Sequence, residues 1–222
     1  MSLHDLSARA WQMLRGFEPA SLCDWPGKVS AVLFFSGCNL RCPTCHNAAI
    51  AWEKTPSGHE LEVAPVLLAI RQRKAWLDGI VLTGGEVTFL PDPENLVQDL
   101  LPLGLDLKID TNGQKPELVK RLAEHDAVRS IAVDIKGPFE KYPALCGGRV
   151  SQDEARDRML SIFKTAVRHP EKFMFRCTRV PGITEKDLDI VRGYLPEGFE
   201  LKVQKYISSA GPKQDFGFAA SA

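Results

Sequence analysis

Short apolar runs alternate with helix-period segments along this chain, and that alternation leaves few folds open. The runs are Val29–Phe35 (VSAVLFF), Gly79–Thr83, Leu105–Ile109, Ser130–Ile135, Lys172–Thr178 and Phe199–Tyr206. Several are short and β-branched, as strands covered on both faces are. Between them, Val63–Leu77 sets Val63, Val66, Leu67, Ile70 and Leu77 at helical spacing. Pro93–Leu101, Pro116–Glu124, Asp153–Arg168 and Glu185–Tyr194 read as further helices. Pro93 and Pro116 suit first-turn positions, and Thr184 with Asp187 three residues on suits a cap. Strand–helix alternation of this kind makes parallel βαβ units. Six strands and five helices are too few for a closed eight-unit barrel. The expected fold is therefore α/β, a partial (β/α)6 TIM-like barrel of parallel strands, open on one side.

The 222 residues suit one domain of this class. Residues 1–20 read as an N-terminal extension, with Met1–Arg15 a short amphipathic helix. Residues 208–222, rich in Ser, Ala and Gly, read as a loosely held tail. Lys and Arg number 28 and Asp and Glu number 28, so no net charge draws the chain to nucleic acid or an anionic membrane. No run approaches the roughly 18 consecutive apolar residues of a membrane span, and the N-terminus lacks the apolar segment of a signal peptide. A cytoplasmic location is the expectation. There, clustered cysteines bind metal or do redox work more often than they form disulfides.

Polar and Gly-rich motifs follow the strands directly. Ser36-Gly37-Cys38 follows the first, Thr83-Gly84-Gly85-Glu86 the second, and Asp110-Thr111-Asn112-Gly113 the third, while Asp134-Ile135-Lys136 ends the fourth. Strand C-termini converge on the binding site in parallel α/β folds, so these motifs describe one site built from several strands.

The densest of them is Cys38-Asn39-Leu40-Arg41-Cys42-Pro43-Thr44-Cys45, with spacing C-x3-C-x2-C. Three thiolates on one loop can wrap one side of a [4Fe–4S] cubane and leave its fourth iron open, a catalytic rather than an electron-storage design. Four other readings compete. Cys42 to His46 is formally the C-x-x-C-H of haem attachment. The three cysteines with His46 make a zinc set. Cys42 and Cys45 make a thioredoxin-like dithiol. All three cysteines can also be inert structural residues. Cys23, Cys146 and Cys177 have no metal-ligand spacing; Cys146-Gly147-Gly148 reads as a turn and Cys177 as core.

Glycines at 84 and 85 allow close backbone approach to a ligand, and their carbonyls with Glu86 can accept from an ammonium group. An ordinary glycine turn with a solvated Glu is the plainer alternative. If the third and fourth strands are neighbours, Asp110 and Asp134 share one rim, and two close carboxylates need a cation or a proton between them. Lys136 lies on the face of Asp134. Asx-turn and salt-bridge roles are the plainer reading of this set.

The stretch from Cys23-Asp24-Trp25-Pro26-Gly27-Lys28 to Cys45-His46-Asn47, followed by Gly84-Gly85-Glu86, resembles the radical S-adenosylmethionine (SAM) superfamily. Within it, the chain is similar to activating enzymes of glycyl radical enzymes. It is most like the anaerobic ribonucleoside-triphosphate reductase activating group, and less like pyruvate formate-lyase activating enzyme. The resemblance runs from about Ser21 to Tyr206 and implies a single radical SAM domain. It implies Cys38, Cys42 and Cys45 as cluster ligands. Thr44, Asn47, Gly84, Gly85, Glu86, Asp110, Thr111, Asp134, Lys136 and Arg176 become cofactor-binding residues, with a monovalent cation at Asp110 and Asp134. Gln204 and Tyr206 would border the nucleoside.

The implied reaction cleaves SAM reductively to methionine and a 5′-deoxyadenosyl radical that takes hydrogen from a glycine Cα. The implied partners are a glycyl radical enzyme and a flavodoxin or ferredoxin-type electron donor. Asp24–Gly27 would lie near the opening that admits the partner, or else simply turn the chain into the first strand. Thr44 stands where this superfamily often has an aromatic residue, and Val87 where it often has proline. A radical SAM enzyme acting on a small molecule, and a non-catalytic iron–sulfur or zinc module, are the alternative functions.

Overall fold

The computed structural model describes residues 8–52 and 61–208. One seven-stranded sheet runs in simple chain order: β1 (Leu14–Ser21), β2 (Ser30–Phe35), β3 (Gly79–Gly84), β4 (Asp106–Thr111), β5 (Val128–Asp134), β6 (Phe173–Arg179) and β7 (Leu201–Lys205). From β2 to β7 every pairing is parallel. β1 and β7 are the edges and do not pair, so the barrel is partial and open, as the alternation predicts. The α-helices are α1 (Ala48–Ala51), α2 (Val63–Arg73), α3 (Pro93–Leu100), α4 (Pro116–Glu124), α5 (Tyr142–Leu145), α6 (Gln152–Arg168) and α7 (Glu185–Arg192). The expected caps form. Pro93 and Pro116 open their helices, and Thr184 accepts from the Asp187 N–H in a reciprocal capping box. No helix among the described residues is long and apolar enough to cross a membrane.

The N-terminal helix is a correction. Arg9–Met13 forms a 3-10 turn, and Leu14–Ser21 is an antiparallel edge strand on β2. Residues 1–7 lie outside the described residues, as does the tail beyond Ser208. Gly16 and Pro19 hid this strand, because both weaken a strand pattern. Each is tolerated for a local reason. A Cβ on Gly16 would press on Phe34 at 3.1 Å, and Pro19 falls where the pairing shifts register between Glu18 and Ser21, on an edge.

Strand residues alternate between two environments. Leu33, Ile80, Leu107, Ile131 and Phe175 join the core beneath the helices. Their neighbours Val32, Val81, Lys108, Ala132 and Arg176 face the barrel interior. Trp25 packs on Val32, Val81 and Phe34 on that inner side. It takes the place a side chain at 79 would need, since a Cβ on Gly79 would lie 2.5 Å from the Trp25 ring. Lys28 sits 4.4 Å over that ring and pairs with Asp106 at 2.9 Å. The Asp24–Gly27 turn therefore lies beside the start of β2, at the end of the sheet opposite the cysteine loop. It seals the barrel floor, which corrects its expected place near a partner opening. Replacing Trp25 by Ala should cost about 3–5 kcal/mol in chemical denaturation, as emptying a large buried aromatic site does.

Candidate functional site

The cysteine loop leaves the C-terminal end of β2 and locks onto the loop after β3 through backbone alone. The Gly85 N–H donates to the Phe35 carbonyl at 2.7 Å and the Glu86 N–H to the Gly37 carbonyl at 2.8 Å. A Cβ on Gly85 would lie 2.0 Å from the Gly37 oxygen, and one on Gly84, at φ +110°, 2.5 Å from the Phe35 backbone. These glycines thus let one main chain approach another, before any ligand is considered. Asn47 adds a side-chain tie, its amide donating to the Gly84 carbonyl at 2.8 Å.

Cys38, Cys42 and Cys45 lie half-buried on this loop. The Leu40 N–H donates to the Cys38 sulfur at 3.4 Å, and the Asn112 amide approaches it at 3.9 Å. Burial pushes the Cys38 thiol up to about 12, against the Leu40 N–H, with Glu86 adding to the rise. Burial also raises Cys45, against the Asn47 N–H. Cys42 moves the other way, because the Cys146 thiol donates to it; burial opposes this and Lys136 assists. The charge of Lys136 reaches all three sulfurs. N–H donors and the Lys136 ammonium favour the thiolate, the form in which a cysteine binds a metal, while burial favours the neutral thiol. Among the described residues, no three His, Cys, Asp or Glu side chains converge as ligands of a single ion do. A cluster would take each of these cysteines on a different iron, so it would not require their sulfurs to meet at one point. His46, the fourth member of the zinc set, instead faces the Ile207 carbonyl at 3.4 Å.

Cys146 was legible only as a turn residue. It is fully buried beside Cys42, and its carbonyl accepts from the Arg41 N–H at 3.2 Å. A Cβ on the next residue, Gly147, would meet the Arg41 oxygen at 2.1 Å, so this turn braces the cysteine loop from below.

Glu86 is not the solvated side chain of the plainer glycine-turn reading. It is 1% exposed, and its Oε1 accepts from the Thr88 N–H at 3.0 Å, the Thr88 hydroxyl at 2.5 Å and the Thr111 hydroxyl at 2.7 Å. Its Oε2 accepts from the Asn112 N–H at 2.6 Å. Burial raises its pKa and these donors pull against that rise. Glu86 is a strap joining the ends of β3 and β4, and Thr111 is part of the same strap. Asn112, not singled out from the sequence, continues it to the cysteine loop by donating to Asn39 at 2.8 Å.

Asp110 and Asp134 do share one rim, on β4 and β5. Arg176 spans them, its Nε 2.9 Å from Asp134 and its Nη1 3.5 Å from Asp110. Lys136 lies 3.4 Å from Asp134, Lys108 pairs with the other carboxylate, and the Thr83 hydroxyl donates to Asp110 at 3.1 Å. Burial disfavours the Asp134 anion, but Lys136 and Arg176 outweigh it and hold the group below its ordinary range. Burial likewise opposes the Lys136 and Arg176 charges, and Asp134 prevails in both, raising them. Gln204 lies on β7, where it accepts from the Thr178 hydroxyl at 3.4 Å, and Tyr206 follows that strand. They line an open cleft of about 640 Å³ at the ends of β6 and β7, with Arg179, Val180, Pro181 and Ile183. Thr44 lies in the turn between Cys42 and Cys45, where the Cys45 N–H donates to the Cys42 carbonyl at 2.9 Å.

Fold and site define an open-barrel α/β enzyme with a sulfur-rich centre at its strand C-termini. The chain belongs to the radical SAM superfamily, which it matches over residues 32–193. It is an oxidoreductase whose cofactors are a [4Fe–4S] cluster and SAM. A Methanocaldococcus jannaschii protein with the provisional name glycyl-radical enzyme activating enzyme is 29% identical over 176 residues, 79% of this chain and 71% of that one. The pyruvate formate-lyase-activating enzyme of Clostridium pasteurianum is 34% identical over 131 residues, 55% of this chain and 52% of that one. The crystal structure of a radical SAM methyltransferase from Sphaerobacter thermophilus shares the fold. Its TM-score is 0.58 at 18% identity, over 82% of this chain and 56% of that one.

Two outcomes test the site's construction. Gly85→Ala should destabilise the protein by about 3 kcal/mol or more, because the clash is with backbone that cannot rotate away; thermal melting and iron content after reconstitution measure it. Asp134 with a depressed folded pKa contributes stability that is present above its unfolded value, near 3.9, and is lost as pH falls through the folded one. Melting temperature should therefore drop more steeply below about pH 4 in the native protein than in Asp134→Asn.

Proposed function

We propose that this chain activates a glycyl radical enzyme, generating the radical on a glycine Cα of that partner. The observation that carries the reading is the likeness to a relative named for glycyl-radical enzyme activation over 79% of this chain. A second relative, named for activating pyruvate formate-lyase, covers 55%.

In this reading Cys38, Cys42 and Cys45 would hold the [4Fe–4S] cluster, with SAM bound beside it. When bound, the cluster and SAM together supply reductive cleavage of a C–S bond, which yields methionine and a 5′-deoxyadenosyl radical. The remaining work belongs to the protein. The Leu40 N–H and Asn112 amide steady the Cys38 sulfur. The interlocked Gly84–Glu86 loop brings its carbonyls to the cofactor's ammonium, Glu86 holding the loop in place. Lys136 and Arg176 present positive charge to the cofactor's carboxylate. Thr44 offers backbone to the adenine, and Gln204 and Tyr206 border the nucleoside.

In this reading the cleft at the ends of β6 and β7 receives a glycine-bearing loop of the partner. Holding one C–H bond at that point is what makes the transfer selective. Anaerobic ribonucleotide reductase is the proposed partner and a flavodoxin or ferredoxin the proposed electron donor, all in the cytoplasm.

Anaerobic reconstitution should load about four irons per chain, and reduction with SAM should release 5′-deoxyadenosine. Mixing with the anaerobic ribonucleotide reductase of the same organism should then produce a glycyl radical signal in electron paramagnetic resonance. Cys42→Ala should abolish cluster loading and both later readouts. Cofactor cleavage that never yields a protein radical, but consumes a metabolite instead, would move the chain to small-molecule chemistry.

A further inference from the structure

Two carboxylates on one rim invite a monovalent metal ion, and the family resemblance implies one at Asp110 and Asp134. The donor set does not fit it. Asp110 already pairs with Lys108 and lies 3.5 Å from Arg176, while Asp134 holds Arg176 at 2.9 Å and Lys136 at 3.4 Å. Two anions therefore meet three cations, and a further positive ion would enter a cluster that already has one in excess.

Lys108 is the unusual member. Lysine is seldom fully buried, yet this side chain is 0% exposed. It sits in the middle of β4 on the barrel's inner face, level with Val81 on β3 and Ser130 on β5. Its stem lies among strand residues, and its ammonium reaches up to the carboxylate two residues on. A buried ammonium is held in place only by a partner that compensates its lost hydration. Asp110 provides that compensation from above, and its other oxygen is kept in register by the Thr83 hydroxyl at 3.1 Å.

We propose that Lys108 is a built-in counter-ion that replaces an alkali cation beneath the cofactor. Its ammonium is similar in size and charge to a potassium ion, but it is tethered and needs no binding equilibrium. The enzyme is then indifferent to which small monovalent cation is present. Lys108 acts by positioning Asp110 and Arg176, the latter being one of the groups proposed to face the cofactor's carboxylate, so the cofactor arm of the inference rests on that assignment.

The experiment compares native protein and Lys108→Met in potassium, sodium and tetramethylammonium chloride at equal ionic strength. Thermal melting is read without the cofactor, and SAM affinity is read on the anaerobically reconstituted protein. Native protein should show the same melting temperature and, within about twofold, the same SAM affinity in all three salts. Lys108→Met keeps the stem but leaves the Asp110 carboxylate beside an empty cation-sized space. It should melt lower in tetramethylammonium, recover in potassium, and bind SAM at least about tenfold more tightly in potassium than in tetramethylammonium.

Native protein that needs potassium or sodium would overturn the proposal. So would a folded Lys108→Met with no preference among the salts. If Lys108→Met does not fold, Lys108→Gln takes the same test, and the native comparison alone can still reject the idea. SAM binding lost in every salt by both proteins would instead reject the cofactor assignment, while the melting arm still decides the role of Lys108.

Discussion

The site depends on one steric constraint, the approach of two main chains where the loops after β2 and β3 touch. With the Gly37 oxygen only 2.0 Å from where a Gly85 Cβ would be, no side chain fits at 85, and Gly84 is held at φ +110° against Phe35. Two backbone hydrogen bonds fill the contact, from Gly85 to Phe35 and from Glu86 to Gly37. The first cysteine follows Gly37 directly, so its position is inherited from this contact. Glu86 then extends the same rigid unit to β4 through Thr111 and Asn112, and Asn112 returns to the cysteine loop at Asn39. The result is a closed circuit of short bonds around Cys38, which is the kind of support that holds a reactive centre to sub-ångström placement.

Beneath that circuit the barrel interior is built in layers of different chemistry. Trp25 with Val32 and Val81 forms an apolar floor, and Lys108, Asp110, Arg176, Asp134 and Lys136 form a charged layer above it. Separating the layers matters because charges in a low-dielectric interior interact strongly with whatever lies closest. An apolar floor leaves these groups to interact chiefly with one another. That layer carries one more cation than carboxylates. The thiols gain from it, since Lys136 lowers the cost of ionising each of the three sulfurs.

Much of this was legible in the sequence. All six expected strands formed, five expected helices formed, and the motifs after the strands do gather at one end of the sheet. The chemistry-bearing residues were visible because their types are rare in apolar contexts and their positions recur after strands. What escaped had one property in common, which is that its meaning lies in a distant partner. Lys108 looks like a polar interruption of LDLKI until Asp110 and a covered barrel surround it. Cys146 looks like part of a glycine turn until the chain brings it under Cys42. β1 carries Gly16 and Pro19, which argue against a strand everywhere except on an edge with a register shift.

The sequence by itself determined the alternation that makes a parallel open sheet, the loop that carries three cysteines, and membership of the superfamily those features signify. It also set the carboxylates and cations at the strand ends, because a two-residue period decides which side chains share a face. Only the tertiary structure decided how those charges pair, that Glu86 is turned inward as a strap, and that Asp24–Gly27 belongs to the floor rather than the mouth. Such outcomes depend on distances between segments far apart in the chain. Hydrogen bonds and ion pairs act only within a few ångströms, and local pattern does not encode which remote groups come that close.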